Sequence, residues 1–189
     1  WTPPIYSTPT RCSLPERRQM TDIDPLRRSM LYLAPAYPEM LGIYPRFPAD
    51  LFCFDLEDGT PPADKVSARE RIAEVLRTIP DGAGRERLLR VNGLDTPWGH
   101  DDCTAAARMP LSGVLVPKVE GAGMVRQVEA ILNAAGAPGD MRIWCLIETP
   151  LGVLRAEEIA TASPRVAGLA IGGTDLAETL HVRQTADRL

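Results

Sequence analysis

Ile143-Trp144-Cys145-Leu146-Ile147-Glu148 and, further on, Gly168-Leu169-Ala170-Ile171-Gly172-Gly173-Thr174-Asp175 are two apolar runs that each end in a carboxylate. Runs of this length and composition read as strands buried on both faces, the pattern of a parallel sheet. An acid closing such a strand, repeated 27 residues later, is a poor core residue. It is a good ligand for a divalent cation at the mouth of a barrel. Glu148 and Asp175 are therefore the candidate metal pair. The ion they suit is Mg2+, which accepts two or so protein oxygens and takes the rest from water and substrate. No pair of histidines accompanies them, which disfavours zinc and non-haem iron.

Working outward, residues 29–33, 50–55, 88–91 and 113–116 read as four earlier strands, and the two opening runs as the fifth and sixth. Helical stripes lie between them: Ala68, Ile72, Val75, Leu76 and Ile79 form one, and Met124, Val128, Ile131 and Leu132 another. A third helix is expected over 152–162, stopped by Ser163-Pro164. Pro38, Pro45 and Pro48 leave room for only a short helix in the first connection. Strands and helices alternating at about 25–35 residues make βαβ units and a parallel sheet.

Two architectures suit that alternation, an open doubly wound sheet or a (β/α)8 barrel. The doubly wound reading needs GxGxxG after the first strand, where Ala34-Pro35-Ala36-Tyr37 stands instead. Residues capable of chemistry close five consecutive strands: Asp55, Glu57 and Asp58, then Arg90, Lys118, Glu148 and Asp175. In a barrel those ends converge on one face, so the expected fold is a (β/α)8 TIM-type barrel. About six of its eight units are visible, and a six-strand sheet alone would leave parallel edges open. The barrel domain, residues 27–189, is thus expected to be incomplete at its C-terminus, behind an irregular proline-bearing arm over 1–26. The first residue, Trp1 rather than Met, suggests processing or trimming.

Composition narrows the function classes. A chain with 44% hydrophobic and 24% charged residues is an ordinary globular one, and a net charge of −4 argues against nucleic acid as its main partner. A local basic pocket for a phosphorylated cofactor remains compatible with that charge. No apolar run reaches transmembrane length. Cysteines fall at 12, 53, 103 and 145 with neither CxxC nor zinc spacing, and Cys53 and Cys145 lie within strands as small hydrophobes. With no secretory signal pattern, a reducing, cytoplasmic location is expected.

The planar fork of Arg90 suits a carboxylate or a developing enolate. Asp55-Leu56-Glu57-Asp58 places three acids within four residues, better suited to holding Arg90 or a metal-bound water than to direct ligation. In a continued strand Asp55 and Glu57 would share one face, with Asp58 opposite. Lys118 is a candidate contact for a carboxylate or phosphate, with a Schiff-base role as the rival reading. Gly172-Gly173-Thr174 lets backbone N–H groups approach an anion, or makes room beside a metal. His100 and His181 stand alone in expected loop or helix-end positions and receive no role.

In chain order, Arg28-Ser29-Met30-Leu31, Asp55-Leu56-Glu57-Asp58, Lys65 with Ala68-Arg69, and Arg90-Val91-Asn92-Gly93 are followed by Val116-Pro117-Lys118-Val119-Glu120, Ile147-Glu148-Thr149 and Gly172-Gly173-Thr174-Asp175-Leu176. From about Arg27 onward this series resembles the citrate lyase β-subunit-like (CitE-like) family of the HpcH/HpaI aldolase superfamily, which includes malyl-CoA and citramalyl-CoA lyases. The resemblance implies a barrel that assembles as a homotrimer or hexamer, and Mg2+ held by Glu148 and Asp175. It implies Arg90 at the reacting centre; from the residues themselves, Glu57 and Asp58 are the further catalytic candidates and Arg90, Lys118, Gly173 and Thr174 the candidate substrate contacts. The implied reaction makes or breaks a carbon–carbon bond between an acyl thioester and a 2-oxo acid; the base that takes the hydroxyl proton is not identified by these motifs. Arg27 and Arg28 are assigned, on charge alone, to the phosphates of CoA.

Two departures stand out. Ala34-Pro35-Ala36-Tyr37-Pro38 replaces the Pro-Gly-Asn-Arg-Pro-like turn common in that family, which puts thioester recognition in question. The segment that in relatives completes the barrel and lends an acidic residue to a neighbouring subunit is also not seen. The reading that follows is a Mg2+-dependent lyase for a short hydroxyacyl-CoA of the citramalyl or malyl type. Its rivals are a citryl lyase acting on an acyl-carrier-protein thioester, a class II aldolase on free hydroxy-oxo acids, and a non-catalytic thioester-binding relative.

Overall fold

The structure, a computed structural model, describes residues 27–79 and 84–183; the expected arm over 1–26 lies outside them. Six parallel strands form one sheet: β1 (Met30–Leu33), β2 (Leu51–Asp55), β3 (Glu86–Arg90), β4 (Gly113–Val116), β5 (Arg142–Ile147) and β6 (Val166–Ile171). Their order is β1-β2-β3-β4-β5-β6, so every crossover steps the same way. A doubly wound sheet reverses that direction at its switch point; an unreversed series is the arc of a barrel.

The helices are α1 (Pro38–Ile43), α2 (Lys65–Thr78), α3 (Gly99–Ala106), α4 (Ala122–Ala134), α5 (Pro150–Leu154), α6 (Ala156–Ala160) and α7 (Gly173–Thr179). Strand periodicity divides the core in two. Phe52, Phe54, Leu89, Val116, Ile143 and Ile147 face the helices and pack with Ile72 and Leu76 of α2 and Val128 and Leu132 of α4. Leu51, Cys53, Leu88, Leu115, Trp144 and Leu146 form a smaller cluster on the other, inner face. Gly168 stands beside Trp144 in that cluster, where a Cβ would lie 2.9 Å from the indole. The inner alternation continues upward into Asp55, Arg90 and Glu148, which is why these polar residues end apolar strands.

Several sequence expectations change. The helix expected over 152–162 is two short helices, because Arg155 leaves helical geometry (φ −111°, ψ 16°) between α5 and α6. The sixth run does not stay extended to Thr174: β6 stops at Ile171, and Asp175 sits in the first turn of α7. His100 belongs to α3, a helix whose apolar stripe is interrupted by the inward-facing Asp102, 0% exposed. Cys53, Cys103 and Cys145 are buried free thiols. No described helix is long and apolar enough to cross a membrane.

Candidate active site

Arg90 ends β3 opposite Asp55, the last residue of β2. That register lets the guanidinium meet the carboxylate squarely: Nε donates to Oδ1 at 2.8 Å and Nη2 to Oδ2 at 2.6 Å. The chain then turns, so the two acids that follow also reach Arg90. Nη1 lies 2.6 Å from Glu57 Oε2 and 3.3 Å from Asp58 Oδ2. Asp58 is therefore not on the opposite side, as a continued strand would have placed it; the strand ends too soon. The ring of Tyr32, on β1, lies 5.2 Å from the guanidinium carbon and covers it. Burial alone would lower the pKa of Arg90, but the hydrogen bonds and charge of Asp55, with Glu57 and Asp58, outweigh it and hold the residue charged.

Glu148 follows β5 and is buried at 1% exposure. Its Oε1 accepts the backbone N–H of Lys118 at 2.8 Å. Burial, before any other cause, pushes its carboxyl up to about 7; the charges of Asp175 and Glu57 push the same way, against the Lys118 amide. Glu148 is thus a hard-oxygen donor whose hydrogen bond comes from an amide, with Asp175 close enough to raise its pKa. Such a pair fits Mg2+, leaving most positions to water and substrate. Among the described residues no group of three or more His, Cys, Asp or Glu side chains is placed to hold a metal ion.

Gly172 makes this placement possible. A Cβ there would run into Glu148 Oε2 and come within 2.6 Å of the Glu148 Cβ. Gly172→Ala is expected to displace the carboxylate and weaken Mg2+ binding at least about tenfold while the circular dichroism spectrum stays native, a change read by calorimetric titration. Next to it, a Cβ on Gly173 would meet open space, so a ligand can approach that backbone.

Lys118, after β4, spans the two halves of the site. Its Nζ lies 3.0 Å from Glu57 Oε1 and 4.0 Å from Asp175 Oδ1. The hydrogen bond to Glu57 and that residue's charge raise its pKa, against the lowering by burial, so it stands as an ammonium and a poor Schiff-base nucleophile. Beside it opens a cavity of about 960 Å3, lined by Asp58, Lys65, Asn92, Pro117, Lys118 and Thr149 among others.

Three residues that carried the resemblance but no role support this wall. Lys65 Nζ donates to the carbonyls of Leu56 and Glu57, both at 2.7 Å. Asn92 Nδ2 donates to the Leu56 carbonyl at 3.1 Å and to Asp102 at 2.6 Å. Arg69 closes the network on the other oxygen of Asp102 at 2.8 Å. Asp102, which sequence reasoning missed, signals itself only as an acid in the first turn of a short helix.

Arg27 and Arg28 are corrected. They precede β1, and so lie at the amino-terminal ends of the strands, away from the rim that carries Glu148. Arg27 pairs with Glu86 at the start of β3 and Arg28 with Asp50 just before β2. They do not join the site, and the contact with CoA phosphates expected of them there has no support in this geometry. The turn after β1 contributes no cation either: Tyr37 N–H closes it on the Ala34 carbonyl, and Arg71 grips it through the Pro35 carbonyl at 2.7 Å.

An unreversed parallel arc with carboxylates and an arginine on its carboxyl ends has the layout of an α/β barrel, whose sites lie on that face. The HpcH/HpaI aldolase/citrate lyase family profile matches residues 28–188, and the chain belongs to that family. It is 39% identical over 162 residues to a (3S)-malyl-CoA thioesterase of Cereibacter sphaeroides, covering 86% of this chain and 54% of that protein. It is 36% identical over 170 residues to the citrate lyase subunit beta of Leuconostoc mesenteroides, covering 86% and 55%. The chain thus spans about half the length of these curated relatives. Among solved structures, the Mycobacterium tuberculosis protein CitE in complex with magnesium, acetoacetate and coenzyme A superposes with a TM-score of 0.69 at 28% identity, over 87% of this chain and 57% of that one.

Proposed function

We propose that this chain carries the metal and arginine part of a Mg2+-dependent carbon–carbon lyase that splits a short hydroxyacyl-CoA, of the malyl or citramalyl type, into acetyl-CoA and a 2-oxo acid. The observation that carries the reading is one rim that holds the buried Glu148, the part-exposed Asp175 close enough to raise its pKa, and a charged Arg90. Glu148 and Asp175 would hold Mg2+, which when bound supplies Lewis-acid polarisation of the 2-oxo acid's oxygens. Arg90 stabilises the negative charge that develops on the thioester oxygen as the bond to the 2-oxo acid breaks. Asp55, Glu57 and Asp58 fix the plane of that guanidinium, so little reorganisation remains for the reaction itself. Lys118 would offer its ammonium to the acid's carboxylate, and Gly173 and Thr174 are the further substrate contacts proposed. The cavity beside Lys118 is of the size that drug-sized ligands occupy and would take the 2-oxo acid's carboxylate at its Lys118 edge and the thioester arm beyond. Assembly as a trimer or hexamer, in the cytoplasm, is part of the same proposal.

A second reading has its own support: the name of the relative at 39% identity is that of a thioesterase, so hydrolysis of malyl-CoA to malate and CoA is the rival outcome. One assay separates them. Incubation with Mg2+ and malyl-CoA or citramalyl-CoA is expected to release glyoxylate or pyruvate together with acetyl-CoA, and EDTA is expected to abolish it. Free CoA and a hydroxy acid in place of the 2-oxo acid would transfer the assignment to the thioesterase; turnover that survives EDTA would remove the metal from it.

A further inference from the structure

Lys118 is the point at which three of the site's carboxylates meet, and its two ends behave differently. The backbone end is fixed. Its φ of +48° is a left-handed conformation, held between Pro117 and the fully buried Val119, whose N–H is bound to the Leu146 carbonyl. That conformation turns the Lys118 amide onto Glu148 Oε1 at 2.8 Å. The ammonium end is held less firmly, by one side-chain hydrogen bond, to Glu57. It sits on a four-carbon stem with its side chain 51% exposed, 3.0 Å from Glu57 and 4.0 Å from Asp175, at the edge of the 960 Å3 cavity.

An ammonium 4.0 Å from one carboxylate of a cation site is itself a cation at that site. It balances Asp175 and shares Glu57 with Arg90, and like charge drives it from Asp175 when a divalent ion arrives. The stem is long enough to turn toward the cavity, while the fixed amide keeps its hold on Glu148.

We propose that Lys118 is a movable counter-charge that couples cation binding to anion binding: its ammonium leaves Asp175 on uptake of a divalent cation and pairs with the carboxylate of a small 2-oxo acid in the adjoining cavity. This rests on the reading of Glu148 and Asp175 as the Mg2+ pair. Two opposite effects follow from one side chain. Before the acid binds, the ammonium opposes the cation; once both are bound, it holds the acid. Cation and acid therefore each tighten the other's binding, reciprocally.

The test is calorimetric titration of Mg2+ alone, then of pyruvate at saturating Mg2+, with wild type, Lys118→Met and Lys118→Gly. The glycine variant suits the left-handed backbone, so it keeps the amide on Glu148 while removing the whole side chain, and the methionine variant keeps an apolar stem without the charge. Both variants are expected to bind Mg2+ about tenfold tighter and pyruvate at least about tenfold weaker, with the mutual enhancement expected of wild type falling toward one. A residue with a merely structural role would weaken both ligands or neither. Unchanged or weaker Mg2+ binding by Lys118→Gly overturns the coupling, as does wild type in which pyruvate and Mg2+ bind independently. Wild type that takes up no Mg2+ overturns the metal reading itself, a result distinct from either.

Discussion

Arg90→Met is expected to unfold the protein about 3–5 kcal/mol more easily, because it leaves the buried carboxylates of Asp55 and Glu57 without their common partner. The three side chains are 10%, 6% and 11% exposed, so solvent does little to compensate. In a chain of this size that corresponds to a drop in melting temperature of roughly 10 °C, read by scanning calorimetry. Asp55→Asn in the same molecule removes a charge that would otherwise be buried alone, and should recover part of the loss. Turnover should fall about a thousandfold in Arg90→Met and not return in the double variant, since the asparagine restores no positive charge. Arg90→Lys separates the two roles: it keeps the charge but not the paired hydrogen bonds to Asp55, and should retain more stability than activity. A melting temperature unmoved by Arg90→Met would mean that the three acids are not held by this residue.

Glu148→Gln is expected to abolish Mg2+ binding and, at the same time, to make the cation-free protein more stable above neutral pH. The sign follows from the carboxyl being pushed up to about 7, from an ordinary value of 4.5. Between those values the folded chain binds the proton more tightly than the unfolded one, so stability falls as pH rises through the window and is level above it. Glutamine has no such proton to lose. Above pH 7 the variant should be favoured by about 1–2 kcal/mol, a figure reduced to allow for solvent at the open mouth of the site. Below pH 4.5 the two proteins should melt alike. For the same reason Mg2+ should bind wild type less tightly as pH drops below 7, releasing a proton as it enters. Equal stability of the two at pH 8 would remove burial as the cause of the shift.

Much of this arrangement is legible in the amino-acid sequence. Apolar runs marked the strands because a sheet covered on both faces needs them, and the acids that broke those runs marked the rim. What escaped was local. Asp58 reaches Arg90 because β2 ends at Asp55, and no sequence pattern fixes a strand end to one residue. Asp175 looked like a strand-end residue because Gly172-Gly173 is compatible with either continuation, extended or helical. The short α3 was missed since Asp102, facing inward to Arg69 and Asn92, removes an apolar residue from its stripe. Arg27 and Arg28 were misplaced although the signal was present: residues that precede a strand lie at its amino-terminal end, opposite the rim.

The carbonyl of Leu56 accepts from Lys65 and from Asn92 at once, which ties β2, α2 and the end of β3 to a single oxygen atom. A turn pinned in this way has surrendered its conformational freedom during folding, long before any ligand is present. Glu57 and Asp58, carried on that turn, therefore lose little further entropy when the site fills. The ordering that binding still demands falls on the incoming molecule and on the stem of Lys118, and an affinity at this rim is governed by how stiff the ligand is rather than by how far the protein must close around it.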